Sequence, residues 1–317
     1  MTPHVGRHHE LPATPETVHW GCFGATIKPV LHVQSGDRVT LHCVNGDERT
    51  LPGAPFEVLP EQREIHAKCR QWPRGHILTG PVHIAGAEPG DTLEVRIHEV
   101  TLRQNWGWNL IRPLAGTIPE DFPATRLLHI PLDRASMTAE MPWGMRIPLK
   151  PFFGVMGVAP PPAYGIIDTI VPREHGGNID CKELGAGTTL YLPVWTEGAL
   201  FSAGDGHAVQ GDGEVCITAL ETALSGTFEL IVRKDLRLKF PRAETPTHLI
   251  SMGLNEDLDD AAKQALREMI AIIRERLNVS AEDAYSLCSL AVDFRVTQLV
   301  DGNKGIHGML AKSLLGG

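Results

Sequence analysis

The chain has 317 residues, 42% of them hydrophobic and 21% charged, with a formal net charge of −9, a composition that suits a globular protein with a sizeable core. Its acids are spread along the chain and no basic stripe with interleaved aromatics appears, which argues against nucleic acid as a partner. No run approaches the roughly 18 apolar residues of a membrane span, the first residues lack the apolar core of a signal peptide, and the six cysteines stand singly, so a soluble cytoplasmic protein with reduced thiols is expected.

From the N-terminus, Arg38 to Val44 and Thr92 to Val100 alternate in polarity and are predicted as half-buried strands, each introduced by a turn signal, Ser35 to Asp37 and Glu88 to Asp91. Thr101 to Pro151 shows no clear period and carries Trp106, Trp108 and Trp143 among prolines and glycines. These tryptophans suit core and loop packing, or an apolar wall over a ligand. Further strands are predicted at Thr189 to Trp195, Glu214 to Glu221 and Thr227 to Leu238. The pattern then changes. From Asp257 to Leu277 apolar residues recur at helical spacing behind Asn255 as N-cap, and Ser280 followed by Asp283 opens a second helix. The segment from Val292 returns to alternation, with Phe294, Val296 and Gln298 on one face, and is expected to rejoin a sheet. The fold class expected is mainly β, a sandwich or jelly-roll-like body over residues 1–245, with residues 246–317 forming a helical pair plus a closing strand packed on it.

The most polar motif is GDGHAVQGDGE, Gly204 to Glu214, which places Asp205, His207, Asp212 and Glu214 within a few residues between two β-like runs. Part of it fits an ordinary hairpin, because Gly-Asp-Gly between apolar runs is turn chemistry. A turn requires neither His207 nor Asp205, and such groups are expensive to desolvate unless they bind a cation or handle protons.

With HGGNID (His175 to Asp180), TGPVHIAGAEPGD (Thr79 to Asp91), LPATPETVHWG (Leu11 to Gly21) and DFRVTQLVDGNKGIHGML (Asp293 to Leu310), this motif resembles the acetamidase/formamidase family of amide hydrolases. The resemblance runs from near residue 9 to near residue 312. It implies a small linear amide as substrate, formamide or acetamide, released as ammonia and the carboxylic acid.

Amide hydrolysis needs an activated water or nucleophile, oxyanion stabilisation and a proton for the leaving amine; a divalent metal supplies the first two and a carboxylic acid the third. His207, Asp180, His76 and Asp91 are the expected metal ligands, and Glu214, Asp212 and Asp205 the proton-handling carboxylates; Asp205 also ranks among candidate ligands. Neither HExxH nor paired CxxC occurs, so the site must be assembled from distant segments. Histidine in the set favours zinc, and an oxygen-only subset would suit calcium. Two alternatives stand beside this reading: a cysteine-dependent amidase using Cys181, and a non-catalytic, cation-stabilised β-sandwich that binds a ligand. A homodimer or higher homo-oligomer is expected, because the helix stripe and the closing strand both offer surface to cover.

Overall fold

The computed structural model describes residues 6–315. Two large sheets face one another. The first has nine strands in the order His8–Leu11, Asp37–His42, Leu224–Arg233, Thr92–Leu102, Thr189–Pro193, Arg242–Glu244, His248–Asn255, Lys304–Ala311 and Val292–Gln298. The second is built around Phe201–Val209, which pairs with Phe152–Gly157, with Ile77–Ile84 and with Leu220–Glu221; the last leads on through Trp106–Ile111 to Arg126–Asp133.

The sheets meet over a common apolar core. Leu41, Leu93, Val95, Ile97 and Phe228 enter it from the first sheet, and Val82, Phe153, Phe201 and Ala203 from the second. Phe228 stands within 5.5 Å of Phe153 and 5.6 Å of Phe201, centroid to centroid. The alternation expected of Thr92 to Val100 is what puts Leu93, Val95 and Ile97 there together. The β-sandwich with a C-terminal helical pair is therefore the fold.

His248–Asn255, Lys304–Ala311 and Val292–Gln298 extend the nine-stranded sheet from Arg242–Glu244 onward. The helices run over Leu258–Leu277 and Ala281–Ala291. Met269, Ile272 and Ile273 from the first pack with Ala284 and Cys288 from the second against Leu249 and Leu310 of the sheet. Ser280 caps the second helix as expected, accepting from the Asp283 amide. The first helix is capped by Asp257, whose side chain accepts from the Asp259 and Asp260 amides, and not by Asn255. Asn255 closes the preceding strand and its Oδ1 accepts from the Asp257 amide, so the two residues act in relay.

Two strand expectations differ from the structure, and both differences shape the site. GDGHAV forms the C-terminal two-thirds of the central strand Phe201–Val209 and is not a loop between strands. Its glycines serve close packing: a Cβ on Gly206 would lie 2.5 Å from the Thr222 carbonyl oxygen. Conversely, Glu214 to Ala219 is a compact loop and only Leu220–Glu221 is extended. Glu214 and Ile217 take positive φ, 44° and 83°, which breaks the strand that their neighbours' β propensity suggests. The segment around the tryptophans, which lacks a readable period, supplies two paired strands, Trp106–Ile111 and Arg126–Asp133. Among the described residues no helix is long and apolar enough to cross a membrane.

Candidate active site

His207 is wholly buried in the strand Phe201–Val209. Its ring orientation follows from Gln210. The Gln210 amide nitrogen donates to the Asp180 carbonyl at 2.8 Å, so its Oε1 faces the ring and accepts from Nδ1–H at 2.9 Å. With Nδ1 carrying a proton, a neutral ring has its lone pair on Nε2. That nitrogen lies 3.2 Å from Asp205 Oδ2 and 3.3 Å from Glu221 Oε1, yet makes no hydrogen bond to either. A lone pair facing two carboxylates is repulsive unless a proton or a cation stands between them. Burial alone would lower the His207 pKa, but Glu221 and Asp205 override it and hold the imidazole well above its ordinary value.

The acids around this ring come from separate segments. Asp205 sits at φ 54° between strand residues, opposite Gly154. Asp180, at φ 51°, follows the short strand Gly176–Asn178, and its Oδ1 is 3.8 Å from His207 Nδ1. Glu221 is fixed by the Asn45 side-chain amide, which donates to Oε2 at 2.7 Å, and by the Ala219 N–H, which donates to Oε1 at 2.9 Å. Glu214 and Asp301 are brought together by the parallel bridge between Gly213 and Gln298. The Gln298 side chain then shapes the Asp301 turn, accepting from the Val300 and Asp301 amides and donating to the Asn303 carbonyl. His76 stands at the rim of the cluster, its Nε2 3.8 Å from Asp205 Oδ2. Three site residues with left-handed backbone in one cluster is local strain of the kind found at functional sites.

The space for these carboxylates exists because residue 154 is glycine. A Cβ there would collide with Asp180 Oδ1 and lie 2.7 Å from both Asp205 Oδ2 and His207 Cε1.

Asp180, Asp205 and His207 form one group of donor atoms within 4.8 Å of one another; His207, Glu214 and Glu221 form a second, and Asp180, Glu214 and Asp301 a third. Asp180 Oδ1, Asp301 Oδ2, Glu214 Oε2 and His207 Nε2 are all buried without a hydrogen-bond partner among the described residues. Orphaned oxygens and an orphaned imidazole nitrogen in a space that one Cβ would fill fit a bound metal ion.

The protonation pattern is uneven. Burial, with repulsion from Asp180 and Asp301, pushes the Glu214 carboxyl well above the usual range, and burial with repulsion from Asp180 does the same to Asp301. Burial also raises Asp180 and Glu221, against the pull of His207. Asp205 is the exception: burial opposes ionisation, but His76 and His207 outweigh it and keep this carboxylate ionised below the ordinary range.

Asp180, Asp205, Glu214, Glu221 and Asp301 form the floor of a cavity of about 920 Å³, walled by Trp20, Trp108, Leu110 and Ile217, while the buried His207 packs against that floor without lining the cavity itself. Of the residues singled out from the sequence, His207, Asp180, His76, Asp205 and Glu214 meet here. Asp91 does not; it accepts from the Glu88 amide within its turn and pairs with Lys234 at 2.6 Å. Asp212 stands apart as well, in a 2.7 Å ion pair with Lys182. Glu221, Asp301 and Asn45 are site residues that sequence reasoning missed. The acid at the end of EVCITALE and the VDGN turn were the available signals. Trp106 is core, Trp108 is cavity wall, and Trp143 is exposed. Cys181 is buried in the apolar core, and burial pushes its thiol up to about 12.

The profile of the acetamidase/formamidase family matches residues 10–165 and 162–309. A formamidase of Methylophilus methylotrophus is 27% identical, covering 71% of this chain and 73% of its own length. An acetamidase structure from Bacillus halodurans superposes with a TM-score of 0.84 at 30% identity, over 97% of this chain and all of that one. An acetamidase from Yersinia enterocolitica gives a TM-score of 0.87 at 29% identity, over 99% and 95% of the two chains.

Two outcomes test the site as a physical object. Gly154→Ala should cost about 1–3 kcal/mol through overpacking and weaken binding of added divalent cation, measured by thermal melts with and without the ion. Raised carboxyl pKa values mean that the folded chain holds protons that the unfolded chain releases above about pH 4. Without a cation, the Glu214 and Asp301 contribution to stability is therefore fully present below that pH and lost as pH rises through their folded values. Added divalent cation should accordingly raise Tm more at pH 8 than at pH 5; an equal rise at both would contradict this assignment.

Proposed function

The chain belongs to the acetamidase/formamidase family, and from that premise we propose that the acidic floor of the cavity is where it hydrolyses its substrate. The reaction is cleavage of a short linear amide of the formamide or acetamide type to ammonia and the carboxylic acid. The observation that carries the assignment is the placement of His207 Nε2, 3.2 Å from Asp205 Oδ2 and 3.3 Å from Glu221 Oε1 without a hydrogen bond to either, while Gln210 Oε1 faces Nδ1.

His207, Asp205 and Glu221, with His76 beside them, are the residues we assign to hold a metal, and two imidazoles with two carboxylates favour zinc over calcium. Asp180 supports the set from the Nδ1 side of the ring. A bound cation of this kind acidifies water and polarises an amide carbonyl.

The remaining steps fall to the chain itself. Asn45 fixes Glu221, and Gln210 fixes the His207 tautomer, so the ligand side is preorganised. Glu214, kept protonated by burial and by its acidic neighbours, is placed to give its proton to the departing nitrogen, while Asp301 sustains that protonation by repulsion. Asp205 is too acidic for this task, and Asp212 is outside the cavity. Trp108, Leu110 and Ile217 give the cavity above these groups an apolar wall.

Glu214→Gln preserves shape and removes the titration. Turnover should fall about 10²- to 10⁴-fold and one limb of the pH–rate profile should vanish with cation binding retained. An unchanged profile would move the proton to Asp301. His207→Ala should abolish both turnover and cation binding. Cys181→Ala should lose stability as a core cavity does, by up to about 2 kcal/mol, while its rate stays near that of the parent protein, because a buried thiol held at about 12 supplies no thiolate.

A further inference from the structure

The cavity is much larger than the smallest amides need. Acetamide has four non-hydrogen atoms and fills on the order of 100 Å³ if each occupies about the volume of a liquid water, roughly 30 Å³. The cavity measures about 920 Å³, at the upper end of pockets that enclose ligands of many atoms.

Its wall is graded from floor to mouth. Trp108 is the strand partner of Glu221 on the floor. Trp108, Leu110 and Arg112 occupy alternate positions along the outgoing chain, and all three line the cavity. At the rise of an extended chain, Arg112 lies roughly 13 Å beyond Trp108. The path from the floor is thus aromatic, then aliphatic, then cationic. Two other arginines at the mouth are already matched: Arg49 with Asp47, and Arg74 with Asp168 at 3.2 Å. Arg112 has no ion-pair partner among the described residues, and its guanidinium is exposed on a protein whose net charge is −9.

We propose that, beyond the short amides of the reaction above, the site takes primary amides whose acyl chain is several carbons long and ends in a carboxylate, with the amide on the acidic floor, the chain along Trp108 and Leu110, and the carboxylate on Arg112. The proposal rests on the floor being the hydrolytic end. Water adds its oxygen to the acyl carbon, the C–N bond breaks, and the nitrogen leaves as ammonia with the proton it receives, so the product is a dicarboxylate. Arg112 is a specificity residue that presents a fork matched to a carboxylate.

The test compares succinamate, adipamate and suberamate with their neutral diamides, by kcat/KM and by calorimetric binding, in the parent protein and in Arg112→Gln. Exposed pairs give modest energies, so the charged substrate should be favoured about threefold to fivefold over its diamide. The preference should be greatest for the six- and eight-carbon chains, fall toward one in Arg112→Gln, and shrink with added salt. Equal values for charged and neutral partners, or a preference that survives Arg112→Gln, would overturn the proposal. If no amide is hydrolysed, acetamide included, while calorimetry still shows the Arg112-dependent preference, the hydrolytic assignment fails and the carboxylate site stands.

Discussion

Everything at the centre of this protein is arranged around a shortage of positive charge. Asp180, Asp205, Glu214, Glu221 and Asp301 are buried about a single buried imidazole. Carboxylates removed from water are tolerated only when paired, protonated or metal-bound. The molecule uses the first two of these unequally. Asp205 is held ionised below the ordinary carboxyl range by His76 and His207, whereas Glu214 and Asp301 are pushed well above it by burial and acidic neighbours. That division follows from placement: His76 and His207 both act on Asp205, whereas around Glu214 and Asp301 the pull of His207 is outweighed by burial and by the neighbouring Asp180. A site that must acquire a cation or shed charge is also one that can polarise an amide and return a proton to its nitrogen.

The backbone bears the cost of this arrangement. Asp180, Asp205 and Glu214 all adopt the left-handed region without being glycine, at roughly 1–3 kcal/mol apiece. Alternation along the central strand puts Asp205 and His207 on one face and Gly206 on the other, and register shifts at Phe201/Ala203 and at His207/Val209 flank the pair. Gly154 completes the device by leaving room that any side chain would take.

Much of the architecture is legible in the chain because it depends on local periodicity. The alternation of Thr92 to Val100 and the Ser280 cap survive into the structure with their roles intact. The long motifs locate Asp180, Asp205, His207 and Glu214. Partners chosen by tertiary geometry were not legible. Glu221 ends a run that looks like a continuous strand, and only the left-handed turn at Ile217 reveals why its carboxylate points to the floor. Asp301 lies in an ordinary VDGN turn whose importance depends on the Gly213 bridge, an interaction across most of the C-terminal segment. Asp91 sits in a motif as prominent as that of Asp180, yet a lysine takes it. Spacing carries no information about which acids meet when each comes from a different strand end.

The bridge between Gly213 and Gln298 also sets an order of events in time. Asn45 and His76 come from the first third of the chain, Asp205 and Glu221 from about two-thirds along it, and Asp301 from a turn near the end. Contacts so distant in sequence form late, because loop closure must be bought before they stabilise anything. A growing polypeptide therefore leaves the Glu214 side of the floor open to water until the last two strands have been added to the sheet. Cation capture becomes a property of the finished topology, and a chain cut anywhere before Asp301 would carry most of the donor atoms without the enclosure that makes them a site.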